Sequence, residues 1–446
     1  MDKKDNTNFN LNLSEFKTLN TEIIENDCIF EVVPIESQRE CPECLSSNIV
    51  KNGSYDRFIR DLDYFEYSAG IRLYDNRYLC RDCGKHFVPD YVSIAPKSRL
   101  TERLIEKIQQ QSLKMPFLRI ANEYKVSVPT IKNIFNRYAD ELESKRVIRA
   151  PRVLGIDEAH LNKNACAVFV DVENHLIIEL LKTRTKTAVL DYFEKLPNPN
   201  DIEVVTMDMW SGYREAVLEY LPKAKIVIDR FHVVKLVTDV LNKIKIQKFN
   251  DLSVFDFDKR KTKKVLLSNA ENLSEDELAY LNRVLTQIPE LEKPYCMKEE
   301  FRQIYSCNTR QEAEEAYKDW CSKLSDMPDA FKSIKKTVDR WHEYIFNYFD
   351  YKYTNGITES LNNVIKSIER AGRGYAFEVL RAKVLFLNSA SKPAKFHFSK
   401  SSTSRNQFDG KTTFTFADSF GPTKIYDSSS GTDLFELQQL IDDGKF

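Results

Sequence analysis

The sequence lacks any long apolar run. None of its 446 residues lies in an uninterrupted stretch near the roughly 18–20 apolar residues that span a bilayer, which excludes a helical membrane protein. The opening stretch, MDKKDNTNFNLNLSEF, has no apolar h-region, so no secretory leader is expected and a cytoplasmic location is. An excess of one charge sign is lacking too. The 66 Lys and Arg almost balance the 67 Asp and Glu, for a formal charge of −1. Taken whole, that total weakens a nucleic-acid reading. Composition is otherwise ordinary, with 42% apolar and 30% charged residues, which excludes wholesale disorder. No internal repeat is visible. The length asks for two to four domains.

A disulfide framework is also missing. Nine cysteines is an odd count, and no leader accompanies them. Four form two pairs, Cys41-Pro-Glu-Cys44 and Cys80-Arg-Asp-Cys83. Two intervening residues let both sulfurs of a tight turn face one ion, and two such turns complete a tetrahedral Zn²⁺ site. Pro42 stiffens the first turn. Gly84 follows the second pair, where a positive φ lets backbone N–H groups point at sulfur. Tyr64, Phe65, Tyr67, Ile71, Leu73 and Tyr74 between the pairs are spaced for a small sheet. A zinc ribbon is the reading, against four buried thiols without metal. His86 is a weak substitute ligand. Cys28, Cys166, Cys296, Cys307 and Cys321 read as ordinary thiols.

Residues 99–145 read as helices. A short helix with Ile120 and Ala121 leads to a turn at Lys125–Ser127. A second helix opens at Val128–Pro129, with Ser127 as N-cap. Ile131, Ile134 and Phe135 form its buried stripe. Thr130, Lys132, Asn133 and Arg137 are left outside, where a recognition helix meets bases and phosphates. This is a helix-turn-helix pattern, against a plain three-helix bundle with basic faces. Charge supports it: residues 97–152 hold 13 basic and 6 acidic residues, a local +7, whereas residues 1–40 hold 4 and 9, a local −5.

After Arg152 strands and helices alternate. Strands are expected at 152–161, 165–172, 175–181, 203–209 and 224–229, with helices at 187–196 and 213–221. A three-strand meander, a helix and then strand–helix–strand is the order of an RNase H-like mixed sheet. Asp157 and Asp208 both follow apolar strand residues. An acid there is costly unless it meets a partner or a metal. In this order the first and fourth strands are neighbours, so the two carboxylates can converge on hard cations. A third acid is wanted from a later helix. Asn355-Gly356 is a turn, Ile357 or Thr358 opens a helix running to about Arg370, and Glu359 lies in its first turn, where the helix dipole favours its charge. Asn362 and Asn363, three and four residues on, are placed to orient it. Lys366, Arg370 and Arg373 on the same stretch suit phosphates.

At these residues the chain resembles the ISL-three family of bacterial insertion-sequence transposases. The stretches that carry the resemblance are VLGIDEAHLNK (153–163), VVTMDMWSGYREAV (204–217), IVIDRFHVVK (226–235), NGITESLNNVIKSIERAGRGY (355–375) and FEVLRAKVLF (377–386). The ribbon and helix-turn-helix stand where that family has them. The resemblance implies an Asp-Asp-Glu transposase with Asp157, Asp208 and Glu359 as metal ligands and Mg²⁺, or Mn²⁺, as the working ion. It sets Asp229 and His232 of the IDRFH stretch near the site as accessory residues, beside Asn362. Double-stranded DNA is the implied partner, as element ends and target. Joining two ends implies a homodimer or larger assembly on DNA; no small-molecule substrate is expected. A nuclease or resolvase on the same fold, and a zinc-ribbon regulator with an inactive catalytic domain, are the rival readings. Arg230 and Trp210 are candidate DNA contacts, equally well packing or solvated residues.

The expected architecture is multidomain α/β. It comprises an N-terminal segment (1–37), a zinc ribbon (38–95), a helix-turn-helix domain (96–150), a first catalytic part (151–234), an all-helical insertion (235–350), a second catalytic part with the catalytic helix (351–390) and a flexible tail (391–446). Helices are expected within the insertion at 233–248, 275–286, 299–305, 310–324 and 330–348. The basic run Lys259–Lys264 is a loop or helix start, gripping phosphates or merely solvated. Trp320, Trp341, Phe346, Tyr348 and Phe349 read as core aromatics. The polar tail carries one expected short helix, 434–441.

Overall fold

A computed structural model describes residues 11–251 and 257–387. The tail and its expected helix at 434–441 lie outside the described residues. These residues form two compact units, divided between Lys145 and Arg146. No helix among them is long and apolar enough to cross a membrane.

The first unit opens with a strand hairpin, β1 (Phe16–Ile24) and β2 (Asp27–Pro34). A second hairpin follows, β3 (Ile49–Arg60) and β4 (Ser68–Cys80), then the short β5 (His86–Phe87). The main order is β1-β2-β4-β3, with β2 running parallel to β4. The expected boundary at 37/38 therefore falls inside one sheet. Its core is made by both hairpins: Cys28, Phe30 and Val32 from β2 pack with Ile59, Ile71 and Leu73. Three helices complete the unit, α1 (Glu102–Lys114), α2 (Phe117–Glu123) and α3 (Val128–Lys145). The boundary at 95/96 is not a free linker either. Buried Asp61, at the end of β3, accepts from Thr101 Oγ1 at 2.6 Å and from Arg103 Nε at 2.8 Å. Thr101 in turn caps α1 by accepting from Leu104 N.

The second unit is built on β6 (Val153–Leu161), β7 (Asn164–Asp171) and β8 (Leu176–Leu181), an antiparallel meander. Then come α4 (Lys186–Phe193), β9 (Val204–Met207), α5 (Ser211–Tyr220) and β10 (Lys225–Ile228). The sheet order is β10-β9-β6-β7-β8, and β9 lies parallel to both β6 and β10. All five expected strands are present, and the first and fourth are neighbours as expected. β6, β9 and β10 are buried along most of their length, as strands covered on both faces are.

Among the described residues six helices separate β10 from the C-terminal pair: α6 (Arg230–Asp251), α7 (Lys259–Leu267), α8 (Glu275–Gln287), α9 (Glu292–Gln303), α10 (Arg310–Ser322) and α11 (Asp329–Tyr351). The basic run at 259–264 is the start of α7, capped by Asp258. The helices share one apolar core with the sheet. Asn347 of α11 donates to Ile226 O of β10 at 2.8 Å. Trp320, Trp341, Phe346, Tyr348 and Phe349 are all buried, so they are core residues. Last come α12 (Gly356–Gly372) and α13 (Phe377–Phe386).

Candidate active site and metal centres

Strand register builds the site. Ile156 of β6 pairs with Met207 of β9, and Met207 pairs with Ile228 of β10. The residue after each of these is an aspartate: Asp157 within β6, Asp208 and Asp229 directly beyond the ends of β9 and β10. Three parallel strands thus present three carboxylates in a row at one sheet edge. Parallel neighbours lie about 4.8 Å apart, so the charges repel strongly unless something intervenes.

The three acids have different surroundings. Asp157 is 8% exposed and Asp229 6%. Asp157 Oδ1 accepts from Glu158 N at 2.7 Å, and its Oδ2 accepts from Asn362 Nδ2 at 2.8 Å. Burial, then the charge of Asp208, pushes the Asp157 carboxyl up to about 8. Asp229 is spent on structure. Its Oδ1 accepts from Asn355 N at 3.4 Å and Phe231 N at 3.5 Å, tying the start of α6 to the approach of α12. Burial raises its carboxyl as well. His232, in the first turn of α6, places Nε2 2.9 Å from Asp208 Oδ1. Burial alone lowers an imidazole, but the hydrogen bond to Asp208 and the neighbouring aspartates outweigh it, and the His232 pKa is raised.

The ligand atoms of Asp157, Asp208 and His232 lie within 4.8 Å of one another. Glu359 is not in this group. It is in the first turn of α12 with an exposed side chain. Asn362 touches Asp157 rather than serving Glu359, and its Nδ2 also lies 3.4 Å from Glu158 O. Its Oδ1 is buried and without a hydrogen-bond partner in the structure. Glu158 points elsewhere, pairing with Arg184 and with His160 Nε2 at 3.1 Å. Arg184 lies over the Trp210 ring, 5.0 Å from its centroid.

Asn355 reads from sequence only as a turn residue. In the structure it is 2% exposed and joins three elements. Its Oδ1 accepts from Thr358 Oγ1 at 2.6 Å and Thr206 Oγ1 at 3.3 Å, while Nδ2 reaches Ile156 O at 3.5 Å. Gly155 makes this approach possible: a Cβ there would lie 3.0 Å from Thr358 Oγ1 and 3.2 Å from Asn355 Oδ1. Tyr213 OH supports the strand by donating to Asp157 O at 3.3 Å. No local pattern distinguishes these residues in the sequence.

The metal site of the first unit consists of four thiols. Cys41 and Cys83 Sγ are 3.6 Å apart, Cys44 and Cys80 Sγ 3.5 Å. Four sulfurs at about 2.3 Å from one tetrahedral ion would be about 3.8 Å from each other, so the set fits Zn²⁺ closely. Both turns share one backbone pattern. Cys41 N donates to Ser46 O and Cys80 N to Lys85 O, each at 2.9 Å; Leu45 N and Gly84 N return to Cys41 O and Cys80 O, each at 3.0 Å. Gly84 has φ +72°, and Leu45, with a side chain, holds φ +59° in the matching place. Backbone N–H groups of Cys44 and Glu43 bring the Cys41 thiol down to about 7. His86 is outside the group, its Nδ1 3.1 Å from Asn52 Nδ2.

The recognition-helix expectation has its local geometry. Ser127 Oγ accepts from Thr130 N at 3.3 Å, starting α3. Ile131, Ile134 and Phe135 are buried; Lys132, Asn133 and Arg137 are exposed and Thr130 half-buried. In the second unit Lys366, Arg370 and Arg373 are exposed along α12, on the stripe that also carries Glu359.

Comparison with known proteins agrees with this division. Residues 37–83 match the zinc-finger of transposase IS204/IS1001/IS1096/IS1165, and residues 93–139 match the helix-turn-helix domain of transposase family ISL3. A transposase family model matches residues 154–384, just over half of the chain. The transposase for insertion sequence element IS1001 of Bordetella parapertussis is 24% identical over 335 residues, spanning 72% of this chain and 81% of that protein. A thiol-lined ribbon, a helix-turn-helix and an aspartate-edged sheet in this order place the chain in the ISL3 family of transposases: it is a DNA transposase with a DNA-binding helix-turn-helix and a zinc ribbon.

Proposed function

We propose that the second unit is an RNase H-like catalytic domain, interrupted by α6–α11, that cuts and joins DNA in the Asp-Asp-Glu manner. The in-register pair Asp157 and Asp208 carries this reading. Two carboxylates this close, one of them buried and pushed up to about 8, favour a bound cation over mutual repulsion. Oxygen-rich ligands and the orphaned Asn362 Oδ1 suit Mg²⁺, and the nearby imidazole makes Mn²⁺ equally acceptable. Asp157, Asp208 and Glu359 are assigned as the holders. Glu359 stands three residues before Asn362, one turn of α12 from Asp157. The cation, once bound, supplies activation of the attacking oxygen and charge neutralisation at the scissile phosphodiester.

The chain's own residues then have separate tasks. Asn362 fixes the rotamer of Asp157. His232 orients Asp208 and holds a proton beside it. Asp229 and Asn355 lock α12 against the sheet. Lys366, Arg370 and Arg373 hold phosphates next to the site. Water attacks first at the element end, and the freed 3′-hydroxyl then attacks target DNA in line, so no nucleophilic side chain is needed. Thr130, Lys132, Asn133 and Arg137 face the terminal repeat. Two ends must be held together, which calls for at least two copies on DNA.

Asp157→Asn, Asp208→Asn and Glu359→Gln are each expected to abolish cleavage and strand transfer on end-bearing DNA with Mg²⁺, while end binding persists. Normal cleavage by Glu359→Gln would remove that residue from the set. Cleavage without joining of a pre-cut end would make the protein a nuclease.

A further inference from the structure

The helical segment of the second unit carries a charged surface of its own. On α7, Lys259, Arg260, Lys261, Lys263 and Lys264 are all exposed, around the buried Thr262, Val265 and Leu266. Two have partners: Lys264 Nζ bonds Glu277 at 2.6 Å, and Lys261 lies over the Tyr280 ring. Among the described residues Lys259, Arg260 and Lys263 have no ion pair. Lys245 of α6 adjoins them: it shares a cavity of about 120 Å³ with Lys259, Ile246, Phe249 and Thr262. The charge of Lys263 also contributes to lowering the Lys245 pKa, after burial.

This arrangement works against the fold. Lys259 and Lys263 are like charges one turn apart, a destabilising pair. Lys259, Arg260 and Lys261 occupy the first turn of α7, where the helix dipole disfavours cations. The same features add up to a strong positive potential over one groove, which is what a polyanion needs. The position along α6 is informative. Lys245 is 13 residues beyond His232, so the groove lies about 20 Å from the catalytic edge along one helix, roughly six base-pair steps of a duplex.

We propose that Lys245, Lys259 and Lys263 grip the backbone of the duplex flanking the cut, outside the element. This rests on the catalytic reading of the aspartate edge given above. Flanking sequence is arbitrary, so only its phosphates can be recognised, and flexible, exposed cationic side chains suit that task. The element side is already served by the helix-turn-helix.

The test uses the full-length protein and end-bearing duplexes whose flanks extend about 4 or about 15 base pairs past the cut, the shorter being too short to reach the groove. Wild type is expected to bind and cut the long-flank substrate better. The triple variant Lys245→Gln, Lys259→Gln, Lys263→Gln should lose that advantage. Its log affinity for the long-flank duplex should fall less steeply with log salt, the slope shrinking by about 2 to 3. Single Lys259→Gln and Lys263→Gln variants should each give part of the effect without lowering the melting temperature, because each removes repulsion. Neutralising Lys293, Lys318 and Lys336, exposed on α9, α10 and α11, should change neither quantity. An unchanged salt slope, or an equal loss on both flank lengths, overturns the proposal. Wild type failing to cut any end-bearing duplex would instead overturn the catalytic reading.

Discussion

At the scale of single residues, the site is a set of polar groups that have replaced water with one another. Asn355 makes hydrogen bonds to β6, β9, α12 and Asp229. Asn355→Ala strands the Thr206 and Thr358 hydroxyls in the interior, so denaturant unfolding should show a loss of about 1–3 kcal/mol. Asn362→Leu keeps the bulk but withdraws the donor from Asp157. Single-turnover cleavage should drop well below wild type while DNA binding in a gel-shift assay is unchanged; equal cleavage would make Asn362 a packing residue. Asp157 and Asp208 were legible because an acid following directly on an apolar strand run is physically conspicuous. Asn355 was not, since Asn-Gly marks a turn wherever it occurs and nothing local announces burial. Asn362 was legible as a neighbour of the site, but its target was not: helical spacing pointed to Glu359, and packing directs the amide to Asp157.

Elements are held by close approach. α12 lies against β6 because Gly155 has no Cβ to meet Thr358 and Asn355. Gly155→Val should destabilise the second unit by about 1–3 kcal/mol in chemical denaturation and impair cleavage more than end binding. α13 contributes a titration. Lys383 is 2% exposed, and burial pulls its pKa down to about 7. An unfolded lysine keeps its proton to about 10.4, so between those values the unfolded chain binds more protons and stability rises with pH. Melting temperature should climb from about pH 7 towards 10, and Lys383→Met should flatten that rise; an unaltered profile would show that Lys383 is charged in the fold. Element order and type were legible from alternating apolar runs and from caps such as Ser127. The strands β1 and β2 went unseen: β1 is a mostly exposed edge strand, and in β2 the adjoining apolar residues Cys28, Ile29 and Phe30 hide an alternation that only burial shows.

On the scale of the whole molecule, two units make two stabilities. The ribbon thiols and the helix-turn-helix belong to one, the aspartate edge to the other. Stripping zinc with a strong chelator should lower one calorimetric transition, leave the second in place and abolish end binding. Loss of both transitions together would show that the units melt as one. The near-zero net charge hides this division. The first unit's basic helices and the cations of α7 and α12 are offset by acids elsewhere, so global charge excluded little about DNA.

The sequence alone determined what depends on near neighbours: thiol pairs two residues apart, a capped helix after a tight turn, strands and helices in alternation, and a family likeness carried by contiguous stretches. Tertiary structure decided what depends on distant residues meeting. Register set Asp157, Asp208 and Asp229 in one row. Helix packing brought His232 and Asn362 to those acids and left Glu359 one turn away. It also merged the N-terminal hairpin with the ribbon and the six-helix segment with the catalytic sheet. The reason is physical: backbone preference and periodicity act within a few residues, whereas burial and pairing act between residues far apart along the chain, up to 205 positions for Asp157 and Asn362.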